Sequence, residues 1–399
     1  MACCERRTGV AVDFRALRDN AAFQIEEVNA MDGLPDNEPA TKARLVYPFE
    51  APPERGTTME VAPGVHWIRM PMPFALNHID LWAIDDGDGW ALVDTGLRSE
   101  ETSLLWRELL ANALGARPVT RVFGTHMHPD HIGLAGWLTR KFNARLWMTS
   151  LEYLTCRVMV SDSGREAPPE AIQFYREAGW GEAALETYRA RFGNFGKYIH
   201  PLPDGYRRIE DGEQIVIGRH TWRVVVGNGH SPEHACLHCP ELKLLISGDQ
   251  VLPRISSNVS VYPTEPDADP MSGWLASIAK LKREVPDDVL VLPAHNECFR
   301  GLHARLDALA AGQHRALDRL RNAIVEPKRV VDVFSALFKR PIAESDAALL
   351  GLATGESIAS LNHLIARGEA TRQLGTDGVA TYRLLDSATQ PLQPPGTPG

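Results

Sequence analysis

Three histidines and an aspartate fall within six residues at His126-Met127-His128-Pro129-Asp130-His131. Imidazole nitrogen and carboxylate oxygen are the donors that zinc and similar divalent ions accept. His126 and His128 are two apart, so they point the same way in an extended segment and one ion can take both. Asp130 and His131 follow where the chain turns and can address a second ion. A His-rich helix cap without metal is the plainer alternative, and the convergence of four donor-type residues on one turn speaks against it.

The flanking text says what positions this cluster. Val119-Thr120-Arg121-Val122-Phe123 is a β-branched run of strand length, and Ile132, Ala135, Trp137, Leu138 and Phe142 follow at helical spacing. The cluster therefore sits at a strand end that opens a helix, where open α/β sheets place their chemistry. Other apolar runs end the same way. Trp222–Gly227 leads to Gly229-His230-Ser231-Pro232-Glu233-His234, Leu244–Gly248 to Asp249, Val289–Ala294 to His295, and Trp90–Val93 to Asp94-Thr95-Gly96.

A His-x-His-x-Asp-His motif after a strand resembles the signature of the metallo-β-lactamase superfamily in its glyoxalase-II-like, dinuclear form, and Asp94-Thr95-Gly96 resembles its second motif. The resemblance implies an α/β fold, a four-layer αββα sandwich. It implies two zinc ions, with iron or manganese as substitutes: His126, His128 and His230 on the first, Asp130, His131 and His295 on the second, Asp249 bridging. By the same resemblance Asp94 holds the metal loop by hydrogen bonding, and Asp130 orients the nucleophile while it ligates. His234 either supports the site or contacts an oxyanion. The implied chemistry is hydrolysis by water activated between divalent ions. Zinc β-lactamases of the best-known type place a cysteine where this chain has Asp249, which points to the thioesterase, lactonase and phosphoesterase branch.

With 399 residues, 44% hydrophobic and 23% charged, the chain can build a large core. Its net charge of −9 argues against a nucleic-acid partner. Cys3, Cys4, Cys156, Cys236, Cys239 and Cys298 are too sparse for a disulfide scaffold, and the lone Cys236-Leu237-His238-Cys239 pair reads as half-buried strand. No apolar run reaches membrane-span length, and the first residues lack the apolar segment of a signal peptide, so a cytoplasmic location is expected.

The expected organisation is an N-terminal extension over 1–55, including a helix over Val12–Val28, then a catalytic domain over 56–325. Residues 150–205 interrupt the strand–helix alternation and carry Tyr153, Phe174, Tyr175, Trp180, Tyr188, Phe192, Phe195 and Tyr198. They read as a lid whose aromatics either line an acyl-binding cleft or anchor the lid to the core. From 326 to 386, helical segments at Val330–Phe338, Ala343–Thr354 and Ser357–Arg367 precede a hairpin around Gly375–Gly378. That pattern resembles a winged helix, and the Ala359–Glu369 and Thr381-Tyr382-Arg383 stretches resemble the small C-terminal domain of LACTB2-type superfamily members. Ser357, Ser360, Asn362, His363 and Arg367 offer few cations to phosphates, so DNA binding is not expected. The tail 387–399 is Pro- and Gly-rich and is expected to be disordered.

The leading expectation is a dinuclear zinc hydrolase acting on a small acyl thioester or ester of acyl-CoA, acyl-carrier or glutathione type. An endoribonuclease or other phosphodiesterase and a lactonase are the enzymatic alternatives. A regulator built on an inactive metal fold is the non-enzymatic one. A homodimer is compatible with this reading.

Overall fold

The structure, a computed structural model, describes residues 45–385. The expected Val12–Val28 helix, most of the 1–55 extension and the 387–399 tail lie outside the described residues.

Strands β1 (Met59–Ala62), β2 (Val65–Pro71), β3 (His78–Asp85), β4 (Trp90–Val93), β5 (Val119–Phe123), β6 (Arg145–Met148) and β7 (Arg207–Arg208) form a seven-stranded sheet in chain order. β1 to β4 pair antiparallel, and β4 to β7 pair parallel. A second sheet holds β8 (Gln214–Ile217), β9 (His220–Gly227), β10 (His234–Cys239), β11 (Leu244–Gly248) and β12 (Leu290–Pro293) in the order β12-β11-β10-β9-β8. Only its β11–β12 pair is parallel.

Side chains alternate across a strand, and here both faces of the sheets are covered. Trp67, Trp82, Val93 and Phe123 of the first sheet meet Ile215, Trp222, Leu237 and Ile246 of the second in one core. On the outer face of the first sheet, Ile68, Leu81 and Leu92 pack with Trp106 and Leu109 of helix Glu100–Ala111. On the outer face of the second, Val225, Leu245 and Val291 pack with Trp274 of helix Pro270–Glu284 and Leu306 of helix Leu302–Ala323. These are the four layers of an αββα sandwich. Cys236 and Cys239 lie in β10, fully buried on opposite faces of the sheet.

Helices Ser150–Ser161, Pro169–Glu177 and Glu182–Arg191 interrupt the alternation between β6 and β7. Most aromatics there pack inward. Tyr175 and Trp180 share a core with Leu317 and Leu320 of the long helix and with Leu349, Ala353 and Leu361 of helix Ala347–Ala366. The Trp180 indole N–H donates to Thr354 Oγ1 (2.9 Å). Phe195 joins the core under the first sheet, and Tyr153 stacks on Tyr206 with ring centroids 3.8 Å apart.

The C-terminal part departs from expectation at one point. The segments expected at Ala343–Thr354 and Ser357–Arg367 are a single helix, Ala347–Ala366. Gly355, which reads as a break, lies inside it because a Cβ there would come within 2.8 Å of Ser260 Cβ and 2.9 Å of the Val261 carbonyl. Close approach to the catalytic body, not a turn, requires the glycine. Ser357, Ser360 and His363 are consequently buried rather than displayed. The short helix Phe334–Leu337 precedes this helix, and the hairpin of β13 (Ala370–Leu374) and β14 (Ala380–Leu384) follows it. Among the described residues, no helix is long and apolar enough to cross a membrane.

Glu356, next to Gly355, is buried, and its Oε2 accepts from Asn258 Nδ2 (2.8 Å). Burial pushes its carboxyl up to about 8, against only a partial lowering by the Asn258 contact. Between 4.5 and about 8 the folded protein therefore keeps a proton that the unfolded chain has released, and stability falls as pH rises through that window. Glu356→Gln keeps the acceptor without the charge. It is expected to match the wild type near pH 5 and to exceed it by up to roughly 4 kcal/mol near pH 9, read from urea midpoints at the two pH values.

Candidate metal centre

The site is built on strand ends. β5 ends at Phe123, and the next turn carries His126 and His128 into helix Pro129–Ile132, whose first residue is a proline suited to that position. The expected helix from Ile132 breaks at Gly133 and Leu134 before resuming at Ala135. Gly133 lets this turn lie against the Asp94-Thr95-Gly96 loop: a Cβ would fall 2.5 Å from Arg98 N and 2.7 Å from Gly96 O. The two loops are then sewn together. Thr95 N–H (2.7 Å) and Thr95 Oγ1 (2.8 Å) both donate to the His131 carbonyl, and Leu134 N–H donates to Thr95 Oγ1 (3.1 Å).

Asp94 sits in the left-handed region, φ 61°, which aims its carboxylate across at the histidine turn. Its Oδ1 accepts from Thr125 N–H (2.8 Å), and its Oδ2 from Thr125 Oγ1 (2.7 Å) and His131 Nδ1 (2.7 Å). With Nδ1 bonded to Asp94, His131 aims its Nε2 at the cleft. The same device recurs. His230 Nδ1 faces the Asn258 carbonyl (2.8 Å), His295 Nδ1 the His78 carbonyl (2.9 Å), and His126 Nδ1 the Thr125 hydroxyl (3.1 Å).

Two groups of donor atoms result, each within 4.8 Å: His126, His128, His230 and Asp249 in one, Asp130, His131 and His295 in the other. His126 Nε2 lies 2.8 Å from His128 Nδ1 and 3.3 Å from His230 Nε2. Asp130 Oδ2 lies 3.6 Å from His131 Nε2 and 3.5 Å from His295 Nε2. Asp249 stands between the groups, with Oδ2 3.4 Å from His230 and 3.3 Å from His131, and Oδ1 3.4 Å from His295.

All seven side chains are buried, Asp130 the least so, with 11% of its side chain accessible. Burial drives the His126 pKa well below its ordinary value and that of His128 down to about 3, so both rings carry lone pairs rather than charge. Burial also pulls His131 down, but the carboxylates of Asp249, Asp130 and Asp94 outweigh it and hold its pKa well above the usual range. The carboxyl of Asp249 is held well below the usual range, its burial outweighed by His131 and His295. His131 Nε2 and Asp249 Oδ1 are buried without a hydrogen-bond partner. Buried orphaned donors of nitrogen and carboxylate type, with carboxylates crowding one imidazole, fit divalent cations.

His234, expected near the chemistry, is fully buried beneath it, and its Nε2 accepts from Asp249 N–H (3.0 Å). His78 turns out to shape the His295 loop. Its carbonyl faces His295, and its Nε2 accepts from Asn296 N–H (3.0 Å); burial and then Arg69 lower its pKa to about 3, which keeps that lone pair free. Arg69 grips buried Asp80 through two bonds (2.7 and 2.9 Å) and donates to the Asn296 carbonyl (2.5 Å). Sequence reading missed Asn258, Arg69 and Asp80; the alternation of polar residues with apolar ones in β2 and β3 was the available signal for the last two.

The fold and the donor geometry have counterparts in known proteins. Residues 77–295 match the family described as Metallo-beta-lactamase superfamily, and residues 317–385 match Metallo-beta-lactamase-like, C-terminal domain. A beta-lactamase domain protein from Burkholderia ambifaria has a crystal structure that superposes with a TM-score of 0.77 at 39% identity, over 86% of this chain and 98% of that one. A metallo-beta-lactamase family protein from Thermus thermophilus shares the fold at 23% identity, with a TM-score of 0.63 over 82% of this chain and 100% of that one. Among curated relatives, an atrochrysone carboxyl ACP thioesterase of Aspergillus fumigatus is 22% identical over 257 residues, 64% of this chain but only 46% of the relative. The chain thus spans less than half of that thioesterase. The acyl-coenzyme A thioesterase MBLAC2 of Gallus gallus is 27% identical over 248 residues, 59% of this chain and 79% of that protein. Because the family match runs from the start of β3 through His295 and takes in both donor groups, the chain belongs to the metallo-β-lactamase superfamily.

Proposed function

We propose that this protein is a dinuclear zinc hydrolase of acyl thioesters, of acyl-carrier or acyl-CoA type. The observation that carries the reading is the pair of buried donor groups sharing Asp249, in a chain whose named relatives include two thioesterases. His126, His128 and His230 would hold one ion, Asp130, His131 and His295 the other, and Asp249 would touch both. Bound divalent ions supply Lewis acidity, which yields a nucleophile from water near neutral pH and takes up charge on the acyl oxygen.

The chain's own groups do the rest. Asp94 and the Asn258 and His78 carbonyls hold protons on the far nitrogens of His131, His230 and His295, so each ring keeps one tautomer and one orientation. Asp130 is the most accessible of the seven, and its carboxylate orients the attacking water and accepts its proton. His234 holds the Asp249 backbone from below. A cysteine nucleophile does not compete. Cys236, with its Sγ 3.8 Å from His234 Nδ1, has its thiol pushed up to about 12 by burial. A thiolate leaves without protonation, so thioester cleavage needs no separate general acid.

Zinc-loaded protein, dialysed and analysed by plasma emission spectrometry, is expected to retain about two ions per chain, and Asp249→Ala about one or fewer. Retention of none by the wild type would refute the metal reading. On a panel of acyl-CoA and acyl-carrier thioesters, with RNA and lactones as comparators, the loaded enzyme should turn over thioesters, and Asp130→Asn should lower kcat by about 10²–10⁴-fold. Turnover of RNA alone would move the protein to phosphodiester chemistry. Asp94→Asn should weaken the ion held by His131 by about 10–100-fold in chelator competition, because the amide removes the charge facing His131 and has one oxygen where two serve Thr125 N–H on one side and Thr125 Oγ1 with His131 Nδ1 on the other.

A further inference from the structure

One buried carboxylate beside the centre has no part in the chemistry above. Glu152 lies in the first turn of helix Ser150–Ser161, which opens the segment inserted between β6 and β7, and it is fully buried. Its two oxygens go to different loops. Oε2 accepts from Met127 N–H (2.9 Å), the peptide between His126 and His128. Oε1 accepts from Glu233 N–H (2.8 Å), in the loop between His230 and His234. Glu233 answers in kind: its Oε2 accepts from Leu151 N–H (2.8 Å), and its carbonyl from Thr149 Oγ1 (2.8 Å).

We propose that Glu152 is a positioning residue for the His126, His128 and His230 donor group, clamping the two loops that carry it at a fixed separation. The inference rests on the reading of those histidines as metal ligands. A carboxylate can take both peptide N–H groups because both of its oxygens accept. The loops lie about 100 residues apart in sequence, with His126 and His230 separated by 104 positions, so their spacing must be set by contacts across the fold. Glu152 supplies one such contact, and the Ala235 N–H to Thr125 carbonyl bond (2.8 Å) supplies another deeper in the sheet. The second donor group is braced differently, by Asp94 on His131 and by the Arg69–Asp80–Asn296 contacts and His78 around His295. The clamp therefore holds the first group at both loops that carry it and reaches the second only through the turn shared with Asp130 and His131, and it makes the inserted segment part of the metal centre's framework.

The test is Glu152→Gln in the full chain. The amide turns an N–H donor toward one of the two peptide N–H groups, so one contact is lost and replaced by a repulsion. Zinc is titrated against a competing chelator, which resolves the two ions. The expected result is one ion weakened about 10–100-fold, the other weakened clearly less, and kcat lowered with little change in KM. Tyr153→Phe removes bonds from the same helix to the Pro203 and Asp204 carbonyls, which lie in neither of the two clamped loops. It should lower thermal stability while leaving both affinities at wild-type values. If Glu152→Gln does not fold, Glu152→Asp, which keeps the charge but is too short to span both N–H groups, is read the same way. Equal weakening of both ions, or lost stability with both affinities intact, would assign Glu152 a purely structural role and overturn the proposal. Wild-type protein that binds no zinc would overturn the metal reading, and this inference with it.

Discussion

Burying carboxylates next to one another is costly unless something positive sits among them, and that constraint governs this molecule. Asp94, Asp130 and Asp249 are all buried and all act on His131, whose raised pKa is the trace of their combined field. Two other donor rings, His126 and His128, are driven toward neutrality by the same burial. A site of this kind is electrostatically incomplete without cations. The protein must hold the donors together against their mutual repulsion, and the surrounding polar network does that.

The network has a consistent design. Each of His126, His131, His230 and His295 turns its Nδ1 to an oxygen supplied by a different part of the chain. Those oxygens belong to the histidine turn itself, to the end of β4, to the segment after β11 and to the start of β3. The ends of β5, β9, β11 and β12 bring the donors, so both sheets contribute and the cleft lies along their shared edge. Stacking the sheets through Trp67, Trp82, Phe123 and Trp222 is thus a precondition for the two donor groups to meet.

Much of this could be read in the sequence because the information is local. His126 to His131 announces itself by donor type and spacing, and each of Asp94, His230, Asp249 and His295 follows a recognisable apolar run. Strand and helix periodicity marked the elements, and the four layers were what the family resemblance implied. The groups that brace the donors left no such mark. Glu152 and Asn258 act through contacts dozens of residues away in sequence, and an acidic residue in the first turn of a helix ordinarily reads as a favourable helix start exposed to water. Gly355 misled for a related reason. A glycine followed by Glu356 and Ser357 looks like an interruption, whereas tertiary contact with Ser260 overrides that preference and keeps the helix whole.

The aromatic residues of the inserted segment change the account of where selectivity for an acyl group would reside. Tyr175 and Trp180 are committed to a core shared with the long helix and the Ala347–Ala366 helix, and Trp180 is tied to Thr354 by a hydrogen bond. They cannot also line a cleft without breaking that core. The insertion and the C-terminal helix therefore form one packed unit, fastened to the catalytic body at Glu152 on one side and at Gly355 and Glu356 on the other. Both fastenings converge on His230, through Glu233 and through Asn258. A substitution that loosened this shared core would be felt first at that histidine, before it altered any surface an acyl chain could touch.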